Sequence, residues 1–116
     1  MHIPFLDLNK INSRFEKEFL SASKQIIRNG FFVLGDEVNS LEADLARYIG
    51  CNHIIGVANG LDALTLIFRG YKELGLLKEG DEIIVPANTY IASILAITEN
   101  GLKPILIDPN PDTFKI

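Results

Sequence analysis

The stretch that most constrains this chain is residues 54–64, where an apolar run turns into a segment with helical spacing. Residues 54–57 contain two isoleucines and a valine, which is typical of a buried strand. The pattern breaks near Gly60, and Leu61 and Leu64 then begin a helical repeat. The first backbone N–H groups of that helix have no partners within it, and they carry partial positive charge at the end of a strand. Such a corner can bind a phosphate group.

Two other interpretations of this corner compete with phosphate binding. Strand-to-helix turns that contain glycine are common in α/β proteins, and the side chain of Asp62 can cap the first N–H groups without any ligand. A dinucleotide-binding turn needs the spacing G-x-G-x-x-G, whereas the glycines here stand at Gly56 and Gly60. The residues alone therefore argue against a dinucleotide site and favour a structural turn over a phosphate site.

Composition limits the class of partner. The chain has 116 residues and a formal net charge of −4, and its charges of both signs are interspersed, so we expect no nucleic acid partner. It has no apolar run of transmembrane length and no signal peptide at its start, which predicts a cytoplasmic protein without a membrane partner. The single Cys51 has no second thiol, so we predict neither a disulfide nor a metal site.

The first half of the chain has the pattern of an arm, two helices and a connector. Alternate apolar positions around Pro4 predict an extended segment that lies on another surface. Residues 13–16 fit a capping box, and glycines supply the C-terminal stops of both helices. We expect, in order, the arm over 2–8, a helix over about 13–29 ending at Gly30, a buried connector over 31–35, and a helix from near Asp36 to Gly50.

In the second half, strand and helix patterns alternate, which is typical of a parallel sheet with right-handed crossovers. Three short strands make a thin sheet, and parallel sheets normally have both faces covered, so we expect this chain to be part of a larger protein. The elements expected are strands at 54–57, 82–85 and 104–107, a helix that begins at or just after Gly60, and a helix that ends at Asn100 and Gly101. The last helix would carry Ile91, Ile94, Leu95 and Thr98 on one face.

With these residues in place, the chain resembles the N-terminal part of the sugar aminotransferases of the DegT/DnrJ/EryC1/StrS family. Residues 59–62 are most similar to members that aminate 3-keto sugars attached to thymidine diphosphate. Five segments match the family in order, and they are residues 4–8, 34–38, 56–64, 80–86 together with 89–93, and 104–108.

The resemblance implies part of the large domain of a fold type I transferase, a truncated α/β fold with three α/β/α layers and a mostly parallel sheet. It implies that residues 1–35 form an N-terminal arm, helix and connector. Residues 36–116 would then form the first part of the large domain, which binds the cofactor.

The resemblance also implies a cofactor, pyridoxal 5'-phosphate (PLP), and cofactor-binding roles for four residues. Gly60, Leu61 and Asp62 would offer backbone N–H groups to the phosphate; the family usually has Gly-Thr here, so Leu61 brings no hydroxyl. Tyr90 stands where the family places an aromatic ring against the pyridine. We expect no catalytic residue within the chain, because the family's Schiff-base lysine and the acidic residue at the pyridine nitrogen both lie beyond residue 116.

The function implied for the parent protein is transfer of an amino group, with glutamate as donor, to a nucleotide-linked keto sugar. Fold type I enzymes are typically homodimers, so a second copy is the expected partner. Two alternatives stay open. One is a PLP-dependent sugar dehydratase of the same family, in which His replaces the lysine, and the other is a non-catalytic phosphate-binding or regulatory domain.

The position expected for the lysine gives a testable prediction. The isolated 116-residue chain should show no aminotransferase activity and no specific covalent PLP adduct, because the nucleophile of the family is absent from it. Borohydride trapping followed by peptide mapping checks this. A stoichiometric adduct on one lysine, together with turnover, would contradict the expectation.

Overall fold

The computed structural model describes residues 4–116, and its contacts divide between Gly56 and Val57 into two units. No described helix is both long and apolar enough to cross a membrane. The predicted domain boundary after residue 35 concerns the whole protein and stays a prediction. The elements are α1 (Leu8–Asn12), a 3-10 turn (Ser13–Phe15), α2 (Glu16–Asn29), α3 (Asp36–Ile49), α4 (Gly60–Glu73), β1 (Glu82–Pro86), α5 (Ile91–Glu99) and β2 (Lys103–Ile107).

The first unit begins with a helical turn that the sequence interpretation did not include. The Asp7 carboxylate accepts a hydrogen bond from the Lys10 N–H at 3.0 Å and so caps α1. Ser13 already has helical backbone angles, and its hydroxyl donates back to the Lys10 carbonyl at 3.3 Å. The predicted capping box at 13–16 is therefore wrong, because a residue inside a helical path cannot have the extended backbone of an N-cap. His2 and Ile3 of the predicted arm lie outside the described residues.

The two long helices of this unit end where the sequence predicts. Gly30 and Gly50 have φ angles of 72° and 80°, a left-handed conformation that glycine adopts without a steric penalty. Their N–H groups donate to the carbonyls of Ile26 and Ala46, both at 2.9 Å. Both C-terminal stops are thus confirmed.

The connector between α2 and α3 is exposed in this structure, which contradicts the predicted burial of residues 31–35. The four apolar side chains of residues 31–34 are 70–78% exposed. None of the described residues of this unit is buried. Burial of the connector was expected from its apolar composition. Burial also requires a neighbouring element, and no element of this unit covers the connector.

The second unit is built on one pair of parallel strands. β1 and β2 pair in parallel, as the alternation of strands and helices predicts, and their register places Val85 opposite Leu106. The third predicted strand, at 54–57, does not form among the described residues. A strand needs a hydrogen-bonded neighbour, and the Gly56 N–H instead donates to the Glu42 carboxylate at 2.6 Å.

The core of this unit lies where α5 packs on the strands. Val85, Ile97 and Leu102 are buried together, and Phe68 of α4 packs against them. The face of α5 that the spacing predicts is mostly exposed, at Ile91, Leu95 and Thr98, and only Ile94 on it is partly buried. The buried residues of the helix are instead Ala96 and Ile97. The helix is apolar around most of its circumference, so spacing alone could not select the buried side.

A buried polar side chain links α5 to α4. The Asn100 carboxamide donates to the Ala96 carbonyl at 2.8 Å and to the Thr65 carbonyl at 3.2 Å. The Asn100 carbonyl accepts from the Lys72 ammonium at 2.7 Å. These bonds join the end of α5 to Thr65 in the first half of α4 and to Lys72 near its C-terminal end.

This bridge predicts a stability effect. Asn100→Ala should lower the free energy of unfolding by about 1–3 kcal/mol, because buried carbonyls lose their donors. Asn110→Ala is the matched control, since Asn110 also makes two hydrogen bonds, at 2.9 and 3.1 Å, but in an exposed turn where water can replace it. Denaturant unfolding of the two variants gives the comparison. Equal losses would show that Asn100 is not a structural link.

Candidate functional site

The N-terminus of α4 is organised by Asn59. Its backbone is extended, and its Oδ1 atom accepts a hydrogen bond from the Asp62 N–H at 2.9 Å. Its own carbonyl accepts from the Ala63 N–H at 3.2 Å. Among the interpretations of this corner, capping by the side chain of Asp62 is therefore wrong, because Asn59 stands one residue before the helix and supplies the capping oxygen.

The two remaining N–H groups of the first turn belong to Gly60 and Leu61. Neither has a hydrogen-bond acceptor among residues 4–116. A Cβ atom built on Gly60 would meet no atom within 4 Å, so the space in front of these donors is open. The φ angle of Gly60 is not in the left-handed region, which means that the backbone does not require glycine here. The protein alone therefore tolerates a larger side chain at position 60, and only a ligand in the open space would require glycine there.

The start of α5 faces the same space. After β1 the chain turns, with the Thr89 N–H donating to the Pro86 carbonyl at 3.2 Å, and Tyr90 is the residue before the helix. The Ser93 N–H donates to the Tyr90 carbonyl at 3.0 Å, which satisfies one of the first donors of α5. The Tyr90 side chain is 79% exposed, so it is not part of the core of this unit.

These two helix starts enclose an open cleft of about 570 Å³, a volume within the range of small-molecule sites. The structure brings Gly60, Leu61 and Tyr90 together in its wall, whereas Asp62 does not line it. The N–H of Asp62, a predicted phosphate donor, is already bonded to Asn59. The cleft is lined by Asn59, Gly60, Leu61, Leu64, Tyr90, Ile91, Ala92 and Leu95.

The arrangement suits a flat molecule that carries an anion. Two unpaired N–H groups at the positive end of a helix attract the anion, and one aromatic and several aliphatic side chains offer an apolar wall to a ring. Among residues 4–116, no lysine lines the cleft. Sequence reasoning overlooked Asn59, although an Asn followed three residues later by an acidic residue is close to a capping-box pattern.

The sequence of this chain is similar to those of known sugar aminotransferases. A profile of the DegT/DnrJ/EryC1/StrS aminotransferase family matches residues 13–116. The dTDP-3-amino-3,6-dideoxy-alpha-D-galactopyranose transaminase of Aneurinibacillus thermoaerophilus is 54% identical over 98% of this chain and 30% of that protein. The dTDP-3-amino-3,4,6-trideoxy-alpha-D-glucose transaminase of Streptomyces venezuelae is 40% identical over 95% of this chain and 28% of that protein. The chain thus spans less than a third of these relatives.

Solved structures agree in fold. DesV of S. venezuelae, in complex with a ketimine intermediate, has a TM-score of 0.82 at 40% identity and covers 93% of this chain and 28% of its own. The ntda protein of Bacillus subtilis, with bound cofactor PMP, has a TM-score of 0.81 at 30% identity and covers 96% of this chain and 25% of its own. The fold type I α/β architecture is confirmed by these matches.

The open space at Gly60 gives a prediction for the full-length protein. Gly60→Val should weaken PLP binding while changing the melting temperature little, because the branched side chain projects into free space in front of the donors. Gly70→Val is the matched control, since Gly70 lies in the same helix with equally open space and does not line the cleft. Fluorescence titration with PLP checks both. Unchanged affinity in Gly60→Val would mean that the phosphate binds elsewhere.

Proposed function

The chain belongs to the DegT/DnrJ/EryC1/StrS aminotransferase family, and from that premise we propose that its full-length protein is a PLP-dependent transaminase acting on a nucleotide-linked keto sugar. The amino donor in this proposal is glutamate. The 3-keto sugars attached to thymidine diphosphate are the preferred substrate class, because the relative at 54% identity is named as a transaminase of a dTDP-3-amino sugar.

The observation that carries the proposal is the pair of N–H groups at Gly60 and Leu61, which have no acceptor in the described part of the chain and line the same cleft as Tyr90. The residues fit PLP in three respects. The donors suit a phosphate, the space that a Cβ on Gly60 would fill is empty, and the other lining residues are largely apolar and include an aromatic ring. When bound, PLP supplies the electron sink through which an amino group can leave one carbon and join another.

Each residue of the cleft has a separate task in this proposal. The N–H groups of Gly60 and Leu61 donate to the phosphate and so fix one end of the cofactor. The Tyr90 ring stacks on the pyridine and fixes its plane. Leu64 and Leu95 exclude water from the edge of the ring. Asp62, a third phosphate donor by resemblance, can serve in that role only if Asn59 releases its N–H.

The proposal extends to assembly and location. The lysine that reacts with PLP lies beyond residue 116 in this proposal, which agrees with the lack of a lysine among the described residues that line the cleft. We propose a homodimer, supported by the many large apolar side chains that are exposed in both units. A cytoplasmic location stays a prediction.

The test of the function uses the full-length protein. Purified protein should bind PLP with a visible absorption band, and it should convert a dTDP-linked 3-keto sugar to the amino sugar with one glutamate consumed for each product formed. A protein that binds PLP but converts the sugar to a deoxy keto sugar that carries no amino group would support the dehydratase alternative. A protein without PLP binding would support the non-catalytic phosphate-binding alternative.

Tyr90 gives a further prediction. Tyr90→Ala should weaken PLP binding by about 0.5–1.5 kcal/mol, the value of a lost aromatic contact, whereas Tyr90→Phe should retain nearly all affinity. The melting temperature of the PLP-free protein should hardly change, because the side chain is 79% exposed. Tyr71→Ala, a change to an exposed tyrosine of α4 outside the cleft, is the control. A large loss of stability with unchanged PLP affinity in Tyr90→Ala would contradict the stacking role of Tyr90.

A further inference from the structure

The side chain of Asn59 makes two hydrogen bonds to one residue. Its Oδ1 atom accepts from the Asp62 N–H at 2.9 Å, and its Nδ2 atom donates to the Asp62 Oδ2 atom at 3.1 Å. The first bond is ordinary N-capping, and Ser, Thr or Asp could provide it equally well. The second bond requires an amide nitrogen, and it acts on a carboxylate and not on the helix backbone. Capping alone therefore does not account for asparagine at this position.

The second bond matters because Asp62 lies in the same first helical turn as the free donors. A carboxylate near a helix N-terminus is attracted by the partial positive charge that would also attract a phosphate. An unrestrained Asp62 side chain would compete for the N–H groups of Gly60 and Leu61 and would repel a phosphate bound to them. In the structure the carboxylate is held by Asn59, and Asp62 does not line the cleft.

We infer that Asn59 is a positioning residue that keeps the Asp62 carboxylate away from the phosphate end of the cleft. The inference rests on the proposed PLP site and deepens it. It divides the four N–H groups of the first turn of α4 into two pairs. Asn59 occupies the Asp62 and Ala63 N–H groups, and the Gly60 and Leu61 N–H groups are left for the ligand.

The test compares PLP with pyridoxal, which has the same ring but no phosphate, in equilibrium titrations of the full-length protein freed of cofactor. Asn59→Ala should weaken PLP binding by about three- to tenfold, because the freed carboxylate competes with the phosphate. Pyridoxal binding should change less than about twofold in the same variant, because it carries no phosphate. A purely structural role of Asn59 would instead lower the melting temperature and weaken both ligands alike.

A second substitution tests the effect of the Asp62 carboxylate by itself. Asp62→Asn alone should leave PLP affinity within about twofold of wild type, because Asn59 already restrains that side chain. In the double variant Asn59→Ala with Asp62→Asn, most of the lost PLP affinity should return, because the competing charge is gone. The absence of recovery in the double variant would overturn the inference.

A third variant separates the effect on PLP binding from an effect on the stability of the fold. Asn59→Ser retains an N-cap oxygen but lacks the carboxamide that reaches Asp62 Oδ2, so the helix should be as stable as in wild type. Its PLP affinity should still fall, with pyridoxal affinity unchanged. Wild-type affinity for PLP in this variant would overturn the role of the amide nitrogen. A wild-type protein that binds PLP no better than pyridoxal would instead contradict the proposed phosphate site itself.

Discussion

The packing of Ile97 against Val85 and Leu102 is the interaction on which the second unit depends. It seats α5 on the paired strands, and it is made by the few side chains that are almost fully buried. Asn100, at the end of the same helix, then ties α5 to α4. Because both helices are held by these contacts, their N-terminal ends lie beside one cleft. The site is thus a consequence of how α5 is anchored at its other end.

The hydrogen bonds at the start of α4 explain why one end of the cleft offers N–H donors to the proposed phosphate. A helix begins with N–H groups that have no partner inside it, and a protein without a ligand satisfies them with side chains or water. At α4, the Asn59 side chain satisfies the one of Asp62, and those of Gly60 and Leu61 have no acceptor among the described residues. A complete cap would have made a more stable helix end and a poorer binding site. The incomplete cap is the physical link between the local structure and the proposed function.

The two units differ in the interactions that stabilise them. Each long helix of the first unit ends at a glycine with a left-handed backbone, and the unit has no buried residue in the part of the chain that the structure describes. Its helices are therefore defined by local hydrogen bonds and not by a core. Helices of this length are marginal in water without tertiary packing. The exposed apolar connector at residues 31–34 is the clearest surface in this unit that further packing would cover.

The sequence by itself determined the features that depend on neighbours along the chain. The glycine stops at Gly30 and Gly50, the positions of β1 and β2, and the sharp corner before α4 could all be predicted, because backbone angles and hydrophobic period are local properties. Tertiary structure alone decided whether residues 54–57 pair as a strand and which face of α5 is buried. It also decided that Gly60 and Tyr90 share one cleft that excludes Asp62. Each of these depends on a partner distant in sequence or on the direction of a side chain, and neither is encoded in a local pattern.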